Sequence, residues 1–155
     1  EQVTFALRDG DVLVTEGCGS REQVGASTIW RGELPSPVCF QNTLIRIRAI
    51  EGLSTPNFAH WWARYSFLSG AFAGVASGTN IFHIGSTRLA AMPVALPSLR
   101  DQDRITDLCD SVQATLNATA SSQRSAITVR SSLLSNLLSG DHEIPESYNA
   151  LLEAS

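Results

Sequence analysis

A stretch of 42 residues without glycine or proline is the feature that most constrains how this chain can fold. Residues 98–139 contain neither residue type, whereas ten of the eleven glycines lie before residue 86. Because glycine and proline interrupt helices, the stretch predicts one long helix behind a region of short elements joined by turns. We therefore predict a domain boundary near Pro97, with residues 1–97 in a front domain and residues 98–140 in the helix.

The predicted helix has recognisable ends and an apolar seam. Ser98 followed by Asp101 is typical of an N-terminal cap, and Gly140 is typical of a C-terminal stop. Between these ends, apolar residues recur with the heptad spacing of a coiled coil, and the seam is apolar at both ends and polar in the middle. The docking positions of the seam are Ile105, Cys109, Val112, Leu116, Ala126, Leu133 and Leu137.

The seam predicts that this helix packs against something, because a lone helix gains little stability from propensity alone. The partner is an antiparallel helix of the same assembly or of a second copy, unless the helix folds back onto the front domain. Residues 115–125 are rich in Ser, Thr and Asn, which weakens the helix there, but a continuous helix is the favoured interpretation. Such a helix would be about 60 Å long.

The front domain is predicted to contain short strands and one packed helix. Strands are expected over residues 3–7, 12–15, 27–30, 43–50 and 81–84, with Asp9-Gly10-Asp11 as a tight turn between the first two. Residues 55–68 are predicted to form a helix whose large side chains enter the core instead of forming a base-stacking platform. These side chains are Phe58, Trp61, Trp62, Tyr65 and Leu68.

These patterns predict an α+β fold: a small, curved and twisted mixed β-sheet domain with a packed helix, followed by one long C-terminal helix of coiled-coil type. No apolar run approaches the roughly 20 residues of a membrane helix, and no secretory signal is recognisable. We therefore predict a cytoplasmic protein that does not enter a membrane.

The charge of the chain leaves a nucleic-acid partner possible. The formal net charge is -4, but residues 1–140 are balanced, with 11 Arg against 11 acidic residues. The excess lies in the predicted acidic tail, residues 141–155, which has four acids and no basic residue. All basic residues are Arg, whose planar guanidinium suits paired contacts to phosphate and guanine.

Motifs of catalysis or metal binding are not recognisable in the sequence. The three cysteines form no CxxC pair, and His60, His83 and His142 have no partners at the spacing of metal ligands. A small hydrolase using Ser20 or His83 would require these two side chains to converge in one cleft. The sequence therefore predicts a chain that is not catalytic by itself and holds no metal.

An ordered series of motifs indicates a family. The series is GDVLV (residues 10–14), GCGS (17–20), QN before a strand (41–42), GTN (78–80) and MPVALPSLRDQDRI (92–105). In this order and spacing, roughly residues 5–140 resemble the specificity subunit of type I restriction-modification systems. The matching part is the later portion of a target-recognition domain and the conserved helix that follows it. Since a complete subunit has two of each, this chain is a fragment, a half-subunit that dimerises, or the recognition end of a fused enzyme.

The resemblance implies a division of labour within a complex. The recognition domain reads one half of a split site in double-stranded DNA, and the long helix acts as a spacer and docks the methyltransferase subunits. Those subunits would carry S-adenosylmethionine and flip the target adenine, with restriction subunits as further partners, so this chain needs no cofactor. Homodimerisation or pairing within one chain through the long helix is expected. The alternative is an assembly module that does not bind DNA directly.

Loops of the front domain are the expected DNA contacts, because binding residues concentrate on loops that a rigid scaffold positions. Arg21 would contact guanine or phosphate, Gln23 and Asn80 adenine, and Ser20 or Thr79 phosphate. Arg46 and Arg48 share one face of a predicted strand and could form a phosphate-binding patch, although a solvated or salt-bridged arginine is an equally good interpretation. The candidate DNA-binding residues are Gly19, Ser20, Arg21, Gln23, Arg46, Arg48, Gly78, Thr79 and Asn80.

Overall fold

The computed structural model has the predicted α+β fold and describes residues 2–140, with side chains from Thr4 onward. The predicted acidic tail, residues 141–155, lies outside the described residues. In chain order the elements are α1 (Gln2–Phe5), β1 (Val12–Thr15), β2 (Gly17–Cys18), β3 (Ser27–Ile29), β4 (Leu44–Ile47), α2 (Pro56–Leu68), α3 (Ala71–Val75), β5 (Phe82–His83), α4 (Ser86–Ala90) and α5 (Leu99–Ser139).

The centre of the front region is a three-stranded antiparallel sheet in the order β3-β1-β4. Val12 of the central strand is paired with Ile29 on one side and with Ile47 on the other. Val12 and Val14 are fully buried, as the two-residue alternation of a strand with one covered face requires. The strand predicted at 12–15 is confirmed, and those predicted at 27–30, 43–50 and 81–84 form as the shorter β3, β4 and β5.

The strand predicted at residues 3–7 is wrong, because this segment forms α1 and then a single antiparallel bridge from Ala6 to Cys39. The physical reason is that β3 and β4 already pair with both sides of β1, so this segment cannot form the predicted strand beside β1. The predicted turn is present: the Asp11 N–H donates to the carbonyl oxygen of Arg8 at 3.0 Å, and Gly10 has φ +87°. It joins the bridge to β1 instead of joining two strands.

Helix α2 begins as the sequence predicts. The hydroxyl of Thr55 accepts a hydrogen bond from the Phe58 N–H at 3.2 Å, and Pro56 is the first helical residue. Proline suits this position because it lacks the N–H that the first turn cannot pair.

The expectation that the large side chains of α2 all enter the core is wrong for Tyr65 and Leu68, which are 69% and 71% exposed. The buried residues of α2 are small, namely Ala59, Ala63 and Ser66. Small side chains allow this face of the helix to lie close to its neighbours, whereas Tyr65 and Leu68 lie on the exposed side. Trp62 is intermediate: it packs against the core, with its ring edge-on to Phe72 at 5.9 Å.

Helix α5 is continuous from Leu99 to Ser139, as predicted, including the polar stretch 115–125. Its N-terminal cap is present, with the Asp101 N–H donating to the Ser98 hydroxyl at 3.3 Å, and Gly140 follows it with φ +77°. A glycine with this left-handed φ ends a helix without the steric cost that a Cβ would add.

The chain divides into two compact units, Glu1–Cys109 and Asp110–Ser155. The first turns of α5 belong to the first unit, where Gln102 is fully buried. The Gln102 amide accepts a hydrogen bond from the Thr55 N–H at 2.9 Å and donates to the carbonyl oxygens of Leu53 and Pro97, each at 3.0 Å. This amide ties the start of α5 to the start of α2.

Candidate functional site

A two-stranded ribbon brings the two predicted DNA-contacting loops to one place. Strands β2 and β5 pair antiparallel, with Gly17 opposite His83 and Cys18 opposite Phe82. Residues that follow β2 therefore lie at the same end of the ribbon as residues that precede β5. Residues 19–23 and 78–80 occupy these positions, so the sequence located both loops and the structure shows that they converge.

Arg21 is held at this end of the ribbon by two contacts. Its Nε donates to the carbonyl oxygen of Ala73 at 3.1 Å, and its guanidinium carbon lies 5.8 Å from the centre of the Phe82 ring. Within residues 2–140 its two terminal nitrogens take part in no hydrogen bond, and the side chain is exposed. A guanidinium fixed through Nε and one ring face still presents the fork that binds phosphate or guanine.

Glu22 is a loop residue that the sequence analysis missed. Its carboxylate accepts a hydrogen bond from the Ser20 hydroxyl at 2.7 Å, and this bond, with one from a backbone N–H, holds the pKa of Glu22 below its usual value. The carboxylate is therefore charged at neutral pH and repels phosphate, although it could accept a hydrogen bond from the amino group of cytosine. The pattern Ser-x-Glu is the only signal in the sequence for this bond.

The second loop is shaped by a tight turn. Gly78 has φ +129°, and a Cβ built on it would lie 1.9 Å from the carbonyl oxygen of Ile81, so only glycine fits. Thr79, Asn80 and Gln23 of the facing loop are all exposed. Gly19 is exposed as well and would meet no atom if it carried a Cβ.

Arg48 has a structural partner. It forms a two-pronged ion pair with Asp11, with Nε and one terminal nitrogen each 2.6 Å from a carboxylate oxygen. Burial alone would raise the pKa of Asp11, but the hydrogen bonds from Arg48 and from the Arg8 N–H outweigh it and lower the pKa. The carboxylate is 1% exposed, so it requires this positive partner.

Arg46 lies on the same side of the sheet and also has protein partners. Its terminal nitrogen donates to the carbonyl oxygens of Thr4 and Ala6 at 3.0 and 3.1 Å, and its guanidinium lies over the Phe40 ring. The period-two pattern therefore placed Arg46 and Arg48 on one face, where both contact the segment around Ala6. Arg48 thus has the salt bridge that the sequence left open beside a phosphate-binding patch, whereas Arg46 is hydrogen-bonded to backbone carbonyl oxygens.

The predicted seam of α5 is exposed over most of its length. Ile105, Val112, Leu116, Leu133 and Leu137 are each between 38% and 58% exposed, Ala126 is exposed, and Cys109 is half-buried. Further exposed large apolar residues of α5, which the seam did not include, are Leu99, Leu108, Ile127, Val129, Leu134 and Leu138.

An apolar groove lies within the first unit, between α2 and the start of α5. Its volume is about 410 Å³. Helix α2 contributes the aromatic residues that the sequence assigned to the core, and α5 contributes the first two seam positions. The lining residues are Phe58, Trp61, Trp62, Arg64, Tyr65, Leu68, Ile105 and Cys109. The sequence missed this groove because spacing reveals which residues share a helix face but not whether that face is covered.

Comparison with known proteins does not identify a family. A scan against protein-family models matched none, and a search of curated proteins found no significant match. Within residues 2–140, no helix combines the length and the apolar character needed to cross a bilayer.

Proposed function

We propose that this chain is a non-catalytic DNA-recognition component of a type I-like restriction-modification complex. The observation that carries the proposal is the convergence of residues 19–23 and 78–80 at one end of the β2–β5 ribbon, with Arg21 fixed there by Phe82 and Ala73. Two short polar loops at one end of a ribbon are suited to reading base edges in a groove of duplex DNA. The resemblance to specificity subunits supports the same function.

The proposal assigns base contacts to these loops and not to β4. Arg21, Gln23 and Asn80 are exposed there and carry the donors and acceptors that distinguish bases. Arg46 and Arg48 are assigned to holding the segment around Ala6 and Asp11 in place. The methyltransferase partner would supply S-adenosylmethionine and the chemistry, and the complex would act on the genome in the cytoplasm.

The test begins with a pool of randomised duplex DNA, because the target sequence is unknown. The full chain is used to select and sequence bound duplexes, and the enriched duplex is then titrated by fluorescence anisotropy at several salt concentrations. We expect a Kd that weakens steeply with salt, as phosphate contacts require.

Arg21→Ala is the decisive variant. It should weaken binding of the enriched duplex by roughly five- to a hundredfold, which corresponds to the loss of one specific arginine contact. Arg124→Ala, which removes an exposed arginine of α5, is the matched control and should leave the Kd within about twofold. Equal affinities for these two variants, or a pool from which no duplex is enriched, would contradict the proposal.

The second candidate function is an assembly module that touches only protein. The exposed seam of α5 favours it, because exposed apolar rows on a helix are typical of helix-helix docking. DNA binding at low salt concentration distinguishes the two candidates. An assembly module would associate through α5 and would not bind DNA even at low salt.

A further inference from the structure

The loop of residues 20–25 is anchored in the first unit. The carbonyl oxygen of Ser20 accepts a hydrogen bond from the Val24 N–H at 3.2 Å, which closes the loop into a turn. Val24 is 1% exposed, and a Cβ on Gly25, which has φ +90°, would lie 2.5 Å from the Phe72 ring. Because buried residues fix the end of the loop, its exposed side chains lose less freedom on binding than those of an unanchored loop.

This loop carries two side chains of opposite charge at neighbouring positions, Arg21 and Glu22. The Nε of Arg21 donates to the Ala73 carbonyl oxygen, so its two terminal nitrogens remain as exposed donors. The Glu22 carboxylate accepts from the Ser20 hydroxyl through one oxygen and is exposed as well. In the part of the chain that the structure describes, no ion pair joins Arg21 to Glu22. The loop therefore offers a donor fork and an acceptor from adjacent residues.

The carboxylate favours one of the two partners that the sequence left open for Arg21, guanine or phosphate. Glu22 is charged at neutral pH, because the hydrogen bond from Ser20 lowers its pKa. A phosphate bound by Arg21 would therefore be repelled by the adjacent residue, whereas the acceptors of guanine carry only partial charges. Arg21 beside Glu22 is better suited to guanine.

The major-groove edge of a G·C pair matches this set of donors and acceptors. Guanine presents two acceptors there, N7 and O6, and the amino group of cytosine lies next to O6. In an A·T pair the amino group of adenine lies between two acceptors, adenine N7 and thymine O4, which repel a carboxylate from both sides. In a G·C pair the acceptors are on one side of the amino group, where the Arg21 guanidinium can cover them.

We infer that Arg21 and Glu22 together read one G·C base pair in the major groove, with Arg21 on the guanine and Glu22 on the amino group of its cytosine. The inference rests on the proposed function and goes beyond it, because it makes Glu22 a specificity-determining residue. A negative charge in a DNA-binding loop weakens binding to every duplex. It is offset only where a cytosine amino group meets the carboxylate, which is how a repulsive element produces specificity.

The primary experiment repeats the selection from randomised duplexes with the wild-type full chain and with Arg21→Ala, Glu22→Ala and Glu51→Ala. Glu51 is exposed and follows β4 at the end of the sheet away from β2, so its variant controls for the loss of one negative charge. We expect a wild-type motif with a G·C pair whose preference weakens at the same position in both loop variants. Glu51→Ala should select the wild-type motif. Thermal melts by circular dichroism verify that each variant is folded.

Modified bases in the enriched duplex then test the individual contacts. N4-methylcytosine in this pair replaces the amino hydrogen that faces the major groove, and it should weaken wild-type binding roughly five- to twentyfold. The same change should weaken Glu22→Ala by less than about twofold, because the contact is already absent. 7-Deazaguanine lacks the N7 acceptor, and it should weaken the wild type but change the Kd of Arg21→Ala by less than about twofold. Glu51→Ala should respond to both bases as the wild type does.

Two results would overturn the inference while leaving the proposed function in place. One is a wild-type motif in which no G·C preference depends on Glu22. The other is an equal effect of N4-methylcytosine on the wild type and on Glu22→Ala. A carboxylate that only faces water predicts a third pattern, in which Glu22→Ala and Glu51→Ala both bind all duplexes more tightly with unchanged preference, and this pattern also contradicts the inference. A pool from which the wild type enriches no duplex contradicts both the inference and the proposed function.

Discussion

The first compact unit and the part of α5 beyond Cys109 use their apolar residues in opposite ways. In the first unit, Val12, Val14, Phe72 and Ile84 are fully buried around the sheet, and the start of α5 is bound to it by Gln102. Over residues 110–140 no residue is buried, although the seam continues through Leu133 and Leu137. The first unit has a buried apolar core, whereas the apolar seam of α5 beyond Cys109 is exposed. Mutations should therefore affect stability in the first region and association in the second.

The largest effect on stability is expected from Arg48→Ala. This change leaves the buried Asp11 carboxylate without its charged partner, and breaking a buried pair commonly costs about 3–5 kcal/mol. Arg48 is itself 32% exposed, so water screens part of the interaction; we expect about 2–3 kcal/mol off the free energy of unfolding. Urea denaturation followed by tryptophan fluorescence measures this loss.

The control for Arg48→Ala is Arg100→Ala, at an exposed arginine on the first turn of α5. A loss of less than about 0.5 kcal/mol is expected there. Similar losses for the two variants would mean that the pair between Arg48 and Asp11 does not hold the first unit together.

Gln102→Leu should have the next largest effect. It leaves the Thr55 N–H and the carbonyl oxygens of Leu53 and Pro97 without their side-chain partner, at a cost of about 2 kcal/mol. Gln123→Leu removes the same type of side chain at an exposed position of α5, and the expected loss is below about 0.5 kcal/mol. Urea denaturation of both variants measures the two losses, and an equal or larger loss for Gln123→Leu would contradict the prediction.

The sequence predicted those parts of the molecule that depend on local chemistry. The continuous α5 follows from a long stretch without glycine or proline, and both of its ends follow from Ser98 and Gly140, because capping acts within one turn. The turn at Gly10 and the start of α2 at Thr55 are local in the same sense.

The parts that the sequence did not predict depend on contacts between segments that are distant in the sequence. Residues 3–7 have strand-like composition, yet they form no strand beside β1 because other strands take both of its edges. Tyr65 has the spacing of a core residue, but alanines occupy the buried face of α2. At the candidate site, each loop was predictable from its glycine, whereas the pairing of β2 with β5 that joins the loops has no signal in two-residue strands.

Lowering the pH should reduce the stability of the first unit gradually, and by less than Arg48→Ala does. The pKa of Asp11 is lower in the folded protein than its ordinary value of 3.8, because Arg48 and the Arg8 N–H bind the charged form. The stability that this carboxylate contributes is therefore complete above pH 3.8 and is lost as the pH falls through the lower, folded pKa. We expect the midpoint of urea unfolding to decrease in this range by less than it does for Arg48→Ala. Asp11→Asn cannot titrate at this position, so its urea midpoint should depend less on pH in this range than that of the wild type. If the two proteins show the same pH dependence, other carboxylates cause the loss of stability in acid.

Leu116→Asp should change the stability of the first unit least, by less than about 0.5 kcal/mol, because this residue is exposed and belongs to the other unit. Its effect should appear in association, since a charge in the seam must be desolvated when α5 docks. We expect the wild-type chain to self-associate in sedimentation equilibrium and Leu116→Asp to shift it toward the monomer. Ala114→Asp places the same charge two residues away, on the opposite side of α5, and should leave the mass distribution unchanged. If the wild type is monomeric at every concentration, a second copy is not the partner of the seam, and the same pair of variants can then be compared for binding to a methyltransferase subunit.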